Sequence, residues 1–207
     1  MKRMPALFLI AGAIVFTAPV SVSAWSMDIG IKAGVSVANV FGGKLFDQKC
    51  RAGFCGGLFL THRFSSVFAI QPEALFVMKG SRHSEGFGPN ALYEVMSIEY
   101  MELPLLVRIR LPVSKSLDVH LLAGPSLAFN IRARVNSVIG GRSEEESLDN
   151  INGVDYGAVA GAGVDIPVRA GKVCLDVRYT FGLSPISNGP GGGVRNGAAC
   201  FFVGYVF

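Results

Sequence analysis

The sequence predicts an all-β fold, an eight-stranded antiparallel up-and-down transmembrane β-barrel, on three observations. Hydrophobic residues make up 50% of the 207 residues, yet no helix-length apolar run follows Val20. Eight segments alternate apolar and polar residues with a period of two, the pattern of a strand with two different faces. The connections between them alternate between tight turns and long polar loops, as in bacterial outer-membrane barrels with periplasmic turns and extracellular loops.

The first 24 residues have the features of a cleaved secretory signal peptide. Lys2 and Arg3 precede an apolar run over 5–20, and small residues lead up to Ala24. We expect cleavage after Ala24 and a single outer-membrane β-barrel domain over 25–207. The alternative is an uncleaved anchor helix, for which the apolar run is short.

The charge of the chain is small after the signal peptide is removed. Loss of Lys2 and Arg3 lowers the formal net charge from +4 to +2. A surplus so small and scattered does not indicate a nucleic-acid partner, and the acidic run 144–146 is too short to be a binding arm. We expect outer-membrane lipid as the main partner, and a monomer.

The predicted strands are each about nine or more residues long, the length that a tilted strand needs to cross a bilayer. The first has apolar residues at odd positions from Ile29 to Val37 and polar residues such as Lys32 between them, whereas the second is the hardest to assign to two faces. In chain order the segments cover roughly 27–39, 53–64, 67–79, 96–111, 117–132, 153–166, 172–183 and 199–207.

The two faces of these segments differ in chemistry. One face is bulky and nearly free of charge, as lipid contact requires, and the other carries glycines and both signs of charge. Because eight strands enclose a space just wide enough for side chains, we expect a packed polar lumen. A soluble barrel would place the apolar face inside and the polar face outside. The predicted export and the alternation of short turns with long loops favour the membrane barrel instead. The charged residues that we assign to the lumen network are Glu73, Glu102, Arg108, Arg110, Asp165, Asp176 and Arg178.

The connections place the two ends of the barrel. Tight turns are expected at 64–66, 112–116 and 167–171, which we assign to the periplasmic end. The longer, polar connections belong to the extracellular end, and an even strand count puts both termini at the periplasmic end. These longer connections are 40–52, 80–95, 133–152 and 184–196.

Four stretches of the chain carry a family resemblance. They are Gly56–Phe59 leading through Phe68–Phe76 to Lys79 and Gly80, then Tyr100–Leu106, Leu121–Pro125 and Arg178–Leu183. Together they resemble the PorT-type, porin-like small outer-membrane β-barrel proteins of Bacteroidetes-related bacteria, over nearly the whole mature chain. The resemblance implies the fold and the location, and it allows an accessory role in protein secretion.

The residues give little support for catalysis or for a cofactor. No His-x-x-x-His or Cys-x-x-Cys spacing occurs, so we predict no metal site. Ser126, His120 and Asp118 lie on one face of one strand, which is poor geometry for a proton relay. We predict no catalytic residue, no cofactor and a protein that is not an enzyme.

The cysteines offer candidate disulfides. Cys50 and Cys55 lie five residues apart in a chain that we expect to be exported. They are therefore candidates for a small loop disulfide. Cys174 and Cys200 share the polar phase of neighbouring strands. Whether these two cysteines can form a disulfide depends on the register of the two strands. The alternative is that both are small, unpaired side chains in the lumen.

The last segment, 199–207, is predicted to close the barrel by pairing with the first. Tyr205 and Phe207 resemble the terminal aromatic signal that the outer-membrane assembly machinery recognises. For function we expect a structural or surface-recognition role through the extracellular loops, with no ligand identified. The alternatives are a narrow passive channel for small solutes, which a filled lumen disfavours, an ion- or proton-conducting lumen, and an accessory component of protein secretion.

Overall fold

A computed structural model of the chain describes residues 26–42, 49–85, 92–113, 116–139, 142–148, 151–186 and 193–207. The predicted signal peptide and its cleavage site lie outside the described residues. The part of the chain that is described contains no helix long and apolar enough to cross a membrane.

The described residues form nine strands in one antiparallel sheet. Their bounds are β1 Ser26–Phe41, β2 Lys49–Arg63, β3 Phe68–Glu85, β4 Leu92–Leu111, β5 Asp118–Ile139, β6 Arg142–Ser147, β7 Val154–Val168, β8 Gly171–Gly182 and β9 Arg195–Val206.

Eight of these strands close into a barrel, which confirms the predicted fold. Consecutive strands pair from β1 to β5, β5 pairs β7, β7 pairs β8, and β8 pairs β9. The last strand returns to the first, with Phe201 opposite Val35 and Val206 opposite Gly30. Closure pairs the backbone groups that a strand edge would leave open to lipid.

The apolar phase of the strands faces outward. Val203, Leu105 and Val177 are 60%, 52% and 52% exposed, although each belongs to a well-paired strand. Conversely, Lys32 and Glu73, taken as whole residues with their backbone, are 3% and 5% exposed. An arrangement with charge inside and large apolar side chains outside is stable in lipid rather than in water.

The phase of β2, which the sequence left undecided, is now clear. Phe54 and Leu58 are exposed on the outer face, whereas Cys55, Phe59 and Thr61 are buried in the lumen. The ambiguity arises because both faces of this strand carry bulky apolar residues.

The strands extend further at the long-loop end than predicted. β3 continues to Glu85 and β4 begins at Leu92, so most of the predicted loop 80–95 is paired strand. A further strand, β6, lies in the predicted loop 133–152 and pairs with residues 134–139 of β5. The alternation of apolar and polar residues ends where the strands leave the lipid. The hydrogen bonds between strand backbones continue beyond that point, because they do not depend on apolar side chains.

A β-bulge in β5 changes the phase of its upper part. Glu99 pairs with Arg132 and Tyr100 pairs with Asn130, so Ile131 is an extra residue. Arg132, which alternation placed on the lumen face, therefore lies on the outer face and is exposed. Above the bulge Ala133 takes the buried position instead.

Candidate functional site

The polar lumen centres on Glu73 of β3. One carboxylate oxygen, Oε1, lies 2.6 Å from Lys32 Nζ, and the other, Oε2, lies 2.6 Å from Arg178 Nη1. The three side chains are at most 1% exposed. They come from β1, β3 and β8, so the cluster connects strands that are distant in sequence.

Asp176 extends this cluster along β8. Its Oδ2 lies 3.1 Å from Lys32 Nζ, and its Oδ1 lies 3.3 Å from His120 Nε2. Lys32 is therefore shared between two carboxylates. His120 is fully buried and was not among the residues predicted for this network.

Arg108 extends the same cluster toward the short-turn end of the barrel. Its Nη2 lies 2.6 Å from Asp165 Oδ2, and its Nη1 donates to Gln71 Oε1 at 3.3 Å. Gln71 Nε2 in turn donates to Glu73 Oε1 at 2.7 Å. The polar contacts thus continue without a break from Arg108 to Glu73.

Arg110 lies at the rim of the barrel. Its side chain is 47% exposed, and its Nε lies 3.5 Å from Asp118 Oδ1. At the same rim Asp28 pairs with Arg63 and with Lys172. Arg110 is therefore the one predicted residue that is not buried, and it joins the others through Asp118, whose Oδ1 also lies 3.6 Å from Arg108 Nη2.

Glu102 forms a second polar cluster, nearer the long loops. Its Oε2 lies 2.9 Å from Lys79 Nζ, and both side chains are nearly fully buried. Asn196 Nδ2 donates to the hydroxyl of Tyr100 at 2.9 Å and to Asp155 Oδ2 at 3.1 Å. Lys79 and Asp155 are further lumen charges that the predicted set omitted.

Two aromatic rings support the central cations. The Phe202 ring lies 4.9 Å from Lys32 Nζ and 4.6 Å from the Arg178 guanidinium carbon, and Phe59 lies 5.1 Å from Lys32 Nζ. These distances are within the range of cation–π attraction. Phe202 is the bulky exception in the polar phase of the last strand, and its position explains that exception.

The lumen holds a near balance of charge. Among the described residues, the buried charged groups comprise four cations and five carboxylates, with His120 beside them. Each buried carboxylate touches a donor, which offsets the cost of removing charge from water. The cations are Lys32, Lys79, Arg108 and Arg178, and the carboxylates are Glu73, Glu102, Asp155, Asp165 and Asp176.

Sequence reasoning had a signal for the omitted residues. Lys32 and His120 occupy the polar phase of segments that the sequence predicted as strands, and Lys79 ends another such segment. The predicted set contains only carboxylates and arginines, and it omits these two lysines and the histidine. A rule that assigns every charged residue of the polar phase to the lumen would have included them.

The structure does not support a disulfide between Cys50 and Cys55. Both lie on β2 with free thiols. Five residues of extended strand span about 16 Å, whereas disulfides need Cα atoms within about 7 Å. The expectation assumed a compact loop, and the segment is a strand instead.

The other cysteines also differ from the proposed pairing. Cys174 lies opposite Gly204, and Cys200 lies opposite Arg178, so Cys174 and Cys200 are four register positions apart. The buried Cys200 instead lies in the same cluster of buried side chains as Cys55, with β1 between their two strands.

The terminal aromatic residues lie on the outer wall at the short-turn end of the barrel. Tyr205 donates its hydroxyl to the carbonyl of Ala170 at 2.8 Å. The rings of Tyr205 and Phe207 pack edge to face with centroids 5.2 Å apart. The backbone N–H of Phe207 donates to the carbonyl of Ile29. Their role in assembly stays a prediction.

The described residues contain no group of three His, Cys, Asp or Glu side chains placed to hold a metal ion. The buried carboxylates are held by lysine, arginine, amide or hydroxyl groups.

Comparison with known proteins gives a family. Residues 23–188 match the sequence model of the family described as "Outer membrane protein beta-barrel domain". A search of curated protein sequences gives no significant match.

Solved structures with a similar fold are distant in sequence. Ail, the attachment invasion locus protein of Yersinia pestis, is 15% identical, with 87% of this chain and 98% of that chain covered and a TM-score of 0.45. Neisserial surface protein A is 14% identical over 86% and 97% of the two chains, with a TM-score of 0.43. The outer membrane enzyme PagL is 12% identical over 84% and 97%, with a TM-score of 0.38.

Proposed function

The chain belongs to the outer membrane protein beta-barrel domain family and lies in the bacterial outer membrane, and from this premise we propose a non-enzymatic surface-recognition role. The observation that carries the proposal is a barrel wall that continues well beyond its lipid-facing part at the long-loop end. Recognition is assigned to this extension.

The length of β4 and β5 supports the extension. They have 20 and 22 residues, whereas a tilted strand crosses the bilayer with about ten. On β5 the large exposed apolar residues end at Ile131, and polar residues follow. The upper strands therefore reach into the medium outside the cell.

The hairpin of β5 and β6 is the most accessible part of this extension among the described residues. All six residues of β6 are exposed, including Glu144, Glu145 and Glu146. Arg134 Nη1 holds Glu145 Oε1 at 2.9 Å, which orients the hairpin against the wall. A paired, acidic hairpin offers a partner a surface that is already ordered, so less entropy is lost on binding.

Shortening this hairpin tests the proposal. Asn136 and Glu145 are cross-strand partners, so replacing residues 137–144 with Asn-Gly joins them by a two-residue turn. The wild-type protein in nanodiscs should bind at least one component of an array of extracellular-matrix proteins and glycans. The shortened variant should lose that binding.

Two controls accompany this experiment. Heat-modifiable gel migration reports whether the shortened barrel is folded, and Arg169→Gln changes an exposed charge at the opposite end of the barrel. Binding that survives the shortening, or a wild-type protein that binds nothing on the array, would contradict the recognition role.

The absence of enzymatic activity is supported by the packing of the lumen. Glu73, Asp176 and His120 are buried and engaged with protein partners. A general acid or base must be within hydrogen-bond reach of a bound substrate. The packed neighbours of these three side chains occupy that space.

An accessory role in protein secretion is the second candidate, and it rests on the PorT-type resemblance. A strain that lacks the protein should then lose exported proteins from the culture medium. Under the recognition role, the amounts of exported proteins stay unchanged.

A further inference from the structure

Basic side chains lie on the outer wall of the barrel, just above its lipid-facing part. The extra residue Ile131 turns Arg132 and Arg134 outward instead of into the lumen. Below them on the same outer face, Phe129 and Ile131 are 41% and 55% exposed. The change from apolar to basic residues thus occurs within one or two positions along β5.

Neighbouring strands contribute more positive charge close to these residues. Lys49 of β2 is the cross-strand partner of Arg82 of β3, and both are exposed. Arg82 pairs with Val95 and Val95 pairs with Asn136, only two residues from Arg134. The basic residues therefore span β2 to β5, about 14 Å of wall at 4.7–4.9 Å per strand.

This positive charge is only partly neutralised. Glu99 and Glu145 lie 3.0 and 2.9 Å from the guanidinium nitrogens of Arg134. Within the described ranges, Arg82 and Arg132 form no ion pair, since Glu99, the cross-strand neighbour of Arg132, contacts Arg134 instead. Arg51, half-buried nearby, is repelled by Arg82 and Arg134 and attracted by Glu99. The charges of Arg82 and Arg132 are therefore not neutralised by a direct carboxylate contact.

We propose that Lys49, Arg82 and Arg132 bind the phosphate groups of phosphorylated lipids in the outer leaflet. These three residues, called here the basic collar, lie at the height where lipid headgroups meet the wall. The guanidinium group of arginine matches two phosphate oxygens at once. This lipid site is independent of the ligand that the β5–β6 hairpin recognises.

A lipid headgroup fits the basic collar better than a ligand from the medium. The exposed apolar side chains directly below contact acyl chains, so one molecule can satisfy both the apolar and the basic surface. A soluble anion would use only the upper half.

Native mass spectrometry of the detergent-purified full chain tests the basic collar. The probes are phosphatidic acid, phosphatidylcholine and inorganic phosphate. We expect phosphatidic acid to bind more tightly than phosphatidylcholine, and added salt to weaken it. Arg82→Gln with Arg132→Gln should weaken phosphatidic acid binding by about tenfold or more, since each lost charge-assisted hydrogen bond costs roughly that much.

The matched control is Arg169→Gln, which removes an exposed arginine at the periplasmic turn and should leave lipid binding unchanged. Heat-modifiable migration confirms that each variant is folded. Equal affinity for the two lipids, or no effect of the double substitution, would overturn the proposal. Displacement of phosphatidic acid by equimolar inorganic phosphate would also overturn it, because the site would then take free phosphate.

Discussion

Glu73 is the residue on which the lumen depends most. It accepts from Lys32, Arg178 and Gln71, which belong to three different strands. Without Glu73, Lys32 would still contact the carboxylate of Asp176. Arg178 would have no such second partner, because among the described residues Glu73 is the carboxylate that forms an ion pair with it. Removing Glu73 therefore leaves a buried guanidinium without its ion-pair partner.

Glu73→Ala should lower the free energy of unfolding by about 3–5 kcal/mol, the cost of breaking a buried ion pair. Urea titration of the protein folded in phospholipid vesicles measures this change. Glu144→Ala removes an exposed carboxylate and serves as the control, with an expected change within about 0.5 kcal/mol.

A second substitution separates the ion pair from simple loss of packing. Arg178→Met in the Glu73→Ala background removes the unpaired cation, so part of the lost stability should return. Equal destabilisation by Glu73→Ala and Glu144→Ala would show that the buried pair does not contribute.

The accessibility of the four thiols follows from their positions on β2, β8 and β9. Cys50 is exposed, whereas Cys55, Cys174 and Cys200 are buried. A water-soluble maleimide should therefore label Cys50 alone in the folded barrel and all free thiols after denaturation. Peptide mapping without reductant should find no Cys50–Cys55 link; finding one would contradict the strand assignment of this segment.

At the scale of single elements, alternation predicted which side chains face lipid but not where strands end. The apolar phase of β4 and β8 is the exposed phase, as Leu105 and Val177 illustrate. The bulge at Ile131 has no comparable signal, since inserting one residue leaves the local composition unchanged. It reverses the facing of Arg132, and so the basic collar was not predictable from alternation.

The contacts between side chains of different strands also could not be predicted from the sequence. Lys32 and Glu73 are 41 positions apart, and Glu73 and Arg178 are 105 apart. The phase shows that all three side chains enter the lumen, but only the strand registers decide which of them meet. Phe202 likewise departs from the polar phase of its strand. Only the structure shows the reason, which is that its ring packs against two lumen cations.

The outer face of β4 permits a direct test of lipid contact. Leu105→Arg places a charge in the middle of the apolar phase of β4 and should cost about 2–4 kcal/mol in lipid vesicles. Val113→Arg, in the exposed turn that follows the strand, should cost at most about 1 kcal/mol because the charge stays near the interface. Equal costs at both sites would mean that Leu105 does not face lipid.

At the scale of the whole molecule, the strand pairing that closes the barrel also brings together the side chains that fill its lumen. The pairing of β9 with β1 brings Phe202 beside Lys32. The side chains of β3 and β8 then meet across the interior at Glu73 and Arg178. A barrel of eight strands has little space beyond that taken by its own side chains, so we expect no continuous water path.

Removing the central side chains should create such a path. Phe202→Ala with Arg178→Ala removes an aromatic ring and a guanidinium from the middle of the lumen. This double variant, if gel migration shows it to be folded, should conduct more than the wild-type protein. Equal currents would indicate that these residues do not block the lumen.

The central claim, a closed barrel whose lumen is filled by paired charges, is tested most directly by single-channel recording of the purified wild-type protein in planar lipid bilayers. The structure predicts that current stays at the baseline of the protein-free membrane across the voltage range. Steady, nanosiemens-scale openings from the folded wild-type barrel would contradict the filled lumen.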